Sequence, residues 1–231
     1  MTHDATHLRD KLRTLVTEHK LSLMQQVLQQ RTRHITFVFE HFYHEHNIHA
    51  AMRSIEGFGF QDVHSITNQK MQEVPLTITK GADYWLTTYT YTHSTQECFD
   101  LLRKQGYFIV GTTPHLCDPE LVSGSNPQKK TFTLAQLPLE TKIALVFGNE
   151  RIGLSDYALE HVDAYSTIAM YGFTESFNVS ASVTVAAYEV RKRLEASSTN
   201  WHISEQEKFD LELTWLKRLV RGSEIIEKNL N

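Results

Sequence analysis

Residues 145–156 read Leu-Val-Phe-Gly-Asn-Glu-Arg-Ile-Gly-Leu-Ser-Asp, an apolar run that leads directly into a glycine turn with an amide and a carboxylate. A short apolar run bounded by such a turn is typical of a buried strand. In an open α/β sheet, ligands bind outside the carboxyl ends of the strands. The stretch therefore predicts a strand of a parallel sheet, with part of a ligand site at its end.

Short apolar runs suited to strands recur along the chain, with helical patterns between several of them. Strands are expected at 35–39, 63–66, 84–87, 107–111, 143–147 and 166–169. Helices are expected at 48–58, 94–104 and 179–194. This alternation indicates an α/β fold in which a parallel sheet carries helices on both faces. Residues 116–142 hold three of the five prolines and are expected to form a long surface connection.

The two ends of the chain are interpreted as helical extensions. Apolar residues at three- and four-residue spacing from Leu8 to Leu28 predict one or two amphipathic helices. Ser204 and Glu207 match a capping box at the start of another helix. The expected organisation is an N-terminal extension at 1–33, a sheet domain at 34–196 and a C-terminal extension at 197–231.

Composition excludes several classes of protein. A chain of 231 residues that is 41% hydrophobic can bury one full core, and its net charge of −4 disfavours a protein that coats nucleic acid. Residues 1–33 nevertheless carry six Lys/Arg against three acids. The lack of a long apolar run or a signal core predicts a soluble, intracellular protein. Cys98 and Cys117 form no CxxC pair, so neither a disulfide framework nor a cysteine zinc site is expected.

A second glycine stretch, at 168–180, reads Ile-Ala-Met-Tyr-Gly-Phe-Thr-Glu-Ser-Phe-Asn-Val-Ser and precedes a long helix. Taken alone, its small polar residues fit an ordinary helix N-cap as well as a ligand site. The chain has neither a P-loop nor a dinucleotide fingerprint, which disfavours a hydride-transfer enzyme. Histidines at 41, 44, 46 and 49 match no zinc spacing, so a polar loop is favoured over a metal site.

Together with His46-Asn-Ile-His-Ala-Ala-Met-Arg53, the two glycine stretches resemble, in order, the three motifs of the SPOUT superfamily. The sequence is most similar to the TrmH family of tRNA guanosine-2′-O-methyltransferases, over about residues 24–220. The resemblance implies a deep C-terminal trefoil knot, S-adenosylmethionine as cofactor, and a cytoplasmic homodimer without a metal. The implied substrate is a tRNA ribose 2′-hydroxyl, at guanosine 18 of the D-loop. Alternatives are ribosomal RNA, another tRNA position, or a non-catalytic RNA-binding dimer.

Carried over position by position, the resemblance implies roles for three sets of residues. The catalytic positions are Arg53, Asn47, Glu150, Ser176 and Asn178. Those expected around the cofactor are Thr112, Gly148, Ile168, Met170 and Phe177. Those expected to meet RNA are Arg31, Arg33, Arg191 and Lys192. The resemblance implies the role of a base for Arg53. Because an arginine normally stays charged, the residue is expected at least to orient the hydroxyl and stabilise the developing alkoxide or a phosphate.

Two positions depart from the family. Ala169 and Glu45 stand where proline is common. The change at Ala169 slightly loosens the cofactor loop but removes no functional group.

Apolar surface near the end of the chain predicts an interface. The helix at 179–194 carries a stripe of Val183, Ala187, Val190 and Leu194. The C-terminal helix adds Trp215 and Leu216. The apolar surface of the two helices together is larger than one face of the sheet can cover. Some of this surface is expected to meet a second copy of the chain.

Overall fold

The computed structural model of the protein describes residues 3–67, 81–92, 94–114 and 129–230. Its strands are β1 Ile35–Glu40, β2 Asp62–Thr67, β3 Thr87–Thr92, β4 Tyr107–Thr112, β5 Thr131–Thr133, β6 Lys142–Phe147 and β7 Ala164–Thr167. They form one sheet in the order β3-β2-β1-β6-β4-β7-β5, with parallel pairing throughout. Its α-helices are α1 His3–Arg13, α2 Glu18–Gln30, α3 Glu45–Gly57, α4 Thr95–Lys104, α5 Asp156–His161, α6 Val179–Ala196, α7 Glu205–Leu219 and α8 Ser223–Lys228.

Helices cover both faces of the sheet, because successive side chains of a strand point to opposite sides. In β1, Phe37 and Phe39 pack with α3 and α6, whereas Val38 packs with α4 and α5. Residues of β6 alternate between the same two clusters. The predicted α/β architecture, a parallel sheet with helices on both faces, is confirmed.

Three local predictions are wrong. The strand expected at 84–87 begins only at Thr87, where pairing with β2 starts, because Tyr84 N donates to Gly81 O in a turn. The strand expected at 166–169 is β7, which begins earlier and ends at Thr167 with its last partner in β5. The connection expected at 116–142 contains β5 and a 3-10 turn at Leu134–Gln136. Residues 115–128 of that connection, with Cys117, lie outside the described residues.

The chain divides into two units, one of residues 33–201 and one that combines residues 1–32 with 202–231. The two terminal segments thus form a single helical unit. Within it, Arg13 pairs with Glu212, and Ser204 and Glu207 form the expected capping box. In the described residues, no helix is long and apolar enough to span a membrane.

The apolar residues expected to meet a second chain are buried within this one. Val183, Ala187, Val190 and Leu194 have no exposed surface and belong to the core against the sheet. Trp215 and Leu216 of α7 are also fully or almost fully buried. The prediction that these residues form an interface is therefore wrong, because the chain itself covers them.

His64 is a buried residue of β2 that packs against tyrosines of the neighbouring edge strand, β3. The His64 ring stacks on Tyr89 at 4.6 Å between centroids, and its Nδ1 lies 3.0 Å from Tyr91 Oη. Burial lowers the pKa of His64 from 6.5 to about 4. The folded protein therefore favours the neutral ring.

We predict that stability falls as the pH drops from 6.5 towards 4, since the unfolded chain takes up a proton that the folded chain resists. The loss from His64 alone is about 3 kcal/mol, at about 1.4 kcal/mol per pKa unit. Denaturant unfolding of wild type and His64→Gln across this pH range measures it, with exposed His7→Gln as control. The His64→Gln curve should be flatter, and equal slopes for all three proteins would contradict the prediction.

Candidate active site

The motif segments meet at the carboxyl edge of the sheet. The strands β1, β6, β4 and β7 are neighbours in that order, and all run in the same direction. The first motif follows β1, the second follows β6 and the third follows β7. Parallel pairing therefore brings three segments that are far apart in sequence to one edge, where ligands bind in such sheets.

The loop after β6 is a tight turn that only glycine permits at its first position. A Cβ at Gly148 would lie 2.2 Å from the carbonyl carbon of Gly153 and 2.3 Å from Leu154 N. The turn closes because Asn149 and Gly153 exchange backbone hydrogen bonds of 2.8 and 2.9 Å. Gly153 itself has a φ of +72°, which favours glycine. Backbone groups of this loop are therefore held in a fixed arrangement.

The Glu150 carboxylate ties this loop to the segment after β1. It accepts hydrogen bonds from Tyr43 N at 2.8 Å, His44 N at 3.3 Å and Asn47 Nδ2 at 2.7 Å. Although partial burial opposes the shift, the bonds from Asn47, Tyr43 and His44 lower the pKa of Glu150. A carboxylate with these donors is a poor proton acceptor, and its geometry fits a residue that orients α3.

Asn47 also joins the third motif. Asn178 Nδ2 donates to Asn47 Oδ1 at 3.2 Å, while Asn178 Oδ1 accepts from Ser180 N at 2.9 Å and caps α6. The N-cap interpretation and the site interpretation of Asn178 are therefore compatible. The side chains of Glu150, Asn47 and Asn178 form a continuous hydrogen-bonded chain across all three motifs.

Arg53 and Ser176 stand outside that chain of hydrogen bonds. Arg53 lies on α3 with an exposed side chain, and within the described ranges its guanidinium has no ion pair or hydrogen bond. The rotation of α3 is nevertheless set, because Ser54 Oγ lies 2.7 Å from Thr184 Oγ1 of α6. Ser176 is exposed in the loop before α6. Both side chains are accessible to a ligand.

The five positions expected around a cofactor fall on the same edge. Thr112 ends β4 and donates from Oγ1 to Val146 O at 2.9 Å. Gly148 follows β6, and Ile168 and Met170 follow β7 as half-buried side chains. Phe177 is 45% exposed just before α6. Because β4 lies between β6 and β7, these positions surround one part of the edge.

The arginines expected to meet RNA are mostly engaged inside the protein. Arg31 has no exposed surface, and its guanidinium lies 5.3 Å from the Trp215 ring centroid. Arg191 is 8% exposed, pairs with Glu195 at 2.7 Å and lies over Trp201. Burial contradicts a direct RNA contact by either side chain, since a phosphate cannot reach it.

The other two basic residues differ from each other. Arg33 is partly exposed and pairs with Asp62, with Nε 3.1 Å from Oδ2. Lys192 is exposed on α6. Only Lys192 of the four therefore presents an open surface cation.

Sequence reasoning missed a group of exposed apolar residues at the carboxyl edge. Tyr171 and Phe173 are almost fully exposed, and Ile152 and Tyr43 are 76% and 60% exposed. It also missed Arg151, whose guanidinium carbon lies 4.5 Å from the Tyr43 ring centroid. The available signal was large side chains beside glycine turns, where a surface loop usually carries small polar residues.

Among the residues that the structure describes, no group of three or more acidic, histidine or cysteine side chains could hold a metal ion.

Comparison with known proteins agrees with this geometry. Residues 34–188 match the SpoU rRNA Methylase family. A tRNA (guanosine(18)-2′-O)-methyltransferase of Borreliella burgdorferi is 32% identical over 220 residues, 95% of this chain and 94% of the relative.

Solved structures with the same fold include a TrmH/SpoU tRNA modifying enzyme of A. aeolicus. Its TM-score is 0.73 and its identity is 22%, and the alignment covers 88% of this chain and 98% of the A. aeolicus chain. Another is the SpoU methyltransferase AviRb of Streptomyces viridochromogenes in complex with AdoMet. Its TM-score is 0.61 and its identity is 18%, and the alignment covers 74% of this chain and 65% of the AviRb chain. The family match spans the whole carboxyl edge described above, from β1 into α6. The chain therefore belongs to the SpoU rRNA Methylase family.

Proposed function

We propose that the protein transfers a methyl group from S-adenosylmethionine to the ribose 2′-hydroxyl of guanosine 18 in tRNA, in the cytoplasm. The observation that carries the proposal is the hydrogen-bonded chain of Glu150, Asn47 and Asn178, which joins all three motifs in a member of this family. The tRNA substrate is that of the Borreliella tRNA (guanosine(18)-2′-O)-methyltransferase, which aligns with 95% of this chain.

The cofactor would lie against the loops after β4, β6 and β7. The residues that would hold it are Thr112, Gly148, Ile168, Met170 and Phe177. They fit the group because the Gly148 turn has no side chain, which lets a ligand approach the backbone closely, while Ile168, Met170 and Phe177 offer apolar surface. When bound, S-adenosylmethionine supplies a methyl group on a positively charged sulfur, which leaves as a neutral thioether.

Arg53 would act on the attacking hydroxyl. The attacking ribose hydroxyl would take up the methyl group that the cofactor supplies and release its proton to solvent. A guanidinium without another partner can donate to the oxygen as negative charge develops on it. The contacts of Asn47 and Asn178 support a positioning role for these residues, which hold the two helices that flank the site.

The enzyme is further proposed to be a homodimer with a deep trefoil knot. Exposed Ala181, Val185 and Tyr188 lie at helical spacing on α6, and Phe177 precedes them. This apolar stripe beside the site supports an interface there. The strand order supports the knot, since the chain leaves β4 for the far edge at β5 and returns to β6 on the other side of β4.

The proposed reaction predicts that label from methyl-labelled S-adenosylmethionine enters tRNA transcripts. Substitution of 2′-deoxyguanosine at position 18 should abolish incorporation, because the attacking oxygen is then absent. The matched control carries a 2′-deoxy nucleotide elsewhere in the same loop. Equal labelling of both substrates would contradict ribose methylation at this position, and labelling of ribosomal RNA alone would favour the second substrate that the family description names.

Arg53→Ala is expected to lower kcat by about 100-fold or more, because a group that meets developing charge acts mainly in the transition state. The affinity for S-adenosylmethionine should stay nearly unchanged. Arg53→Lys should restore only part of the rate, since a point charge lacks the planar fork. Single-turnover kinetics and calorimetry measure the two effects. A near-normal rate for Arg53→Ala would make Arg53 an ordinary surface residue.

The proposed dimer predicts a mass in solution near twice 26.7 kDa. Val185→Asp should shift the protein towards monomer, because it places a charge in the apolar stripe. Leu23→Asp is the matched control, since Leu23 is a helical residue with similar exposure, 44% against 43% for Val185. Light scattering over a range of concentrations measures the mass. A monomeric wild type at every concentration would refute the dimer.

A further inference from the structure

We infer that Arg151, held over the ring of Tyr43, binds a phosphate of the RNA backbone beside the target ribose. This inference rests on the proposed function, because it assumes that RNA enters the site. It assigns the phosphate contact to a residue outside the four basic positions expected from sequence.

The stack gives the guanidinium a defined place on the surface. Arg151 Cζ lies 4.5 Å from the centroid of the Tyr43 ring, and both side chains are exposed. An arginine over an aromatic face is attracted by the ring electrons while its N–H groups point outward. The guanidinium therefore loses less freedom on binding a ligand than an unsupported side chain would.

The N–H donors of Arg151 are available. Throughout the described portion of the chain, its guanidinium forms no ion pair or hydrogen bond. Its neighbour Glu150 directs its carboxylate elsewhere, since it accepts from Tyr43 N, His44 N and Asn47 Nδ2. Arg33 and Arg191, in contrast, already have the acidic partners Asp62 and Glu195.

The two loops that carry the stack are joined to each other. Asn149 Nδ2 donates to His41 O at 2.5 Å, and Arg151 N donates to Asn149 Oδ1 at 2.8 Å. Glu150 adds two more bonds between the loops, since it accepts from Tyr43 N and His44 N. The position of Arg151 is therefore set before any ligand arrives, which lowers the entropy cost of binding.

The chemistry of this position favours a phosphate. A planar guanidinium matches two oxygens of a phosphate through parallel N–H bonds. The protein has a net charge of −4, so its affinity for RNA must depend on a few well-placed cations. Arg151 follows directly after Glu150, whose network contains Asn47 and Asn178, so a phosphate held there lies next to the proposed reaction site.

The test is the salt dependence of tRNA binding. Arg151→Ala should weaken the Kd for an unmodified tRNA transcript by about tenfold and lower the slope of log Kd against log salt by about 0.7 to 0.9, the value for one phosphate contact. The Kd for S-adenosylmethionine should stay near the wild-type value, because Arg151 is not among the positions expected around the cofactor. Arg151→Gln, which keeps a polar side chain but removes the charge, should give the same change, and Tyr43→Ala a smaller one in the same direction.

Lys104→Ala is the matched control. Lys104 is an exposed cation at the end of α4. Because α4 connects the parallel strands β3 and β4, its end lies at the edge of the sheet opposite the carboxyl edge. Its removal should leave both the Kd and the slope unchanged.

The inference is refuted if folded Arg151→Gln binds tRNA with the wild-type slope, or if only the affinity for S-adenosylmethionine changes. Failure of the proposed function looks different, because wild type would then methylate no tRNA. Thermal melting identifies a variant that has lost its fold.

Discussion

The ionised carboxylate of Glu150 is the interaction on which the arrangement of the site depends. It lies in a turn that glycine closes, and it accepts hydrogen bonds from the loop after β1 and from the side chain of Asn47. Asn47 in turn meets Asn178, which caps α6. Removal of the charge would leave several donors unsatisfied at once, so the cost would extend over all three motifs rather than one contact.

The sheet makes this network possible. Pairing of β1 with β6, and of β4 with β6 and β7, places the ends of four strands side by side. Apolar residues that alternate between two faces hold the strands between α3 and α6 on one side and α4 and α5 on the other. A rigid parallel core thus supports loops whose side chains remain free for a ligand, and the exposed Arg53, Ser176 and Arg151 occur on these loops or at the adjacent helix.

The arginines that the sequence indicated for RNA contact are mostly not the ones that are accessible at the surface. Arg31 and Arg191 lie over Trp215 and Trp201, so their long side chains serve packing as much as charge. Arg151 also lies over an aromatic ring, but one that is itself exposed. Trp215 and Trp201 are buried whereas Tyr43 is 60% exposed, so Arg151 alone of these three arginines keeps its guanidinium at the surface. Adjacent sequence does not reveal this burial.

Sequence alone predicts the α/β class, four strands to within one residue at each end, the capping box at Ser204 and the glycine turn at Gly148. These features depend on neighbouring residues, through hydrophobic period, backbone sterics and local hydrogen bonds. Other features become visible only in the folded chain: β3 begins at Thr87, β5 pairs with β7, Arg31 is buried, and the Arg151 guanidinium lies over the Tyr43 ring. Each of these features depends on residues that are remote in the chain. The ends of a strand are set by the strand that it pairs with, and the burial of a side chain is set by the elements that pack on it, so neighbouring residues alone do not determine either.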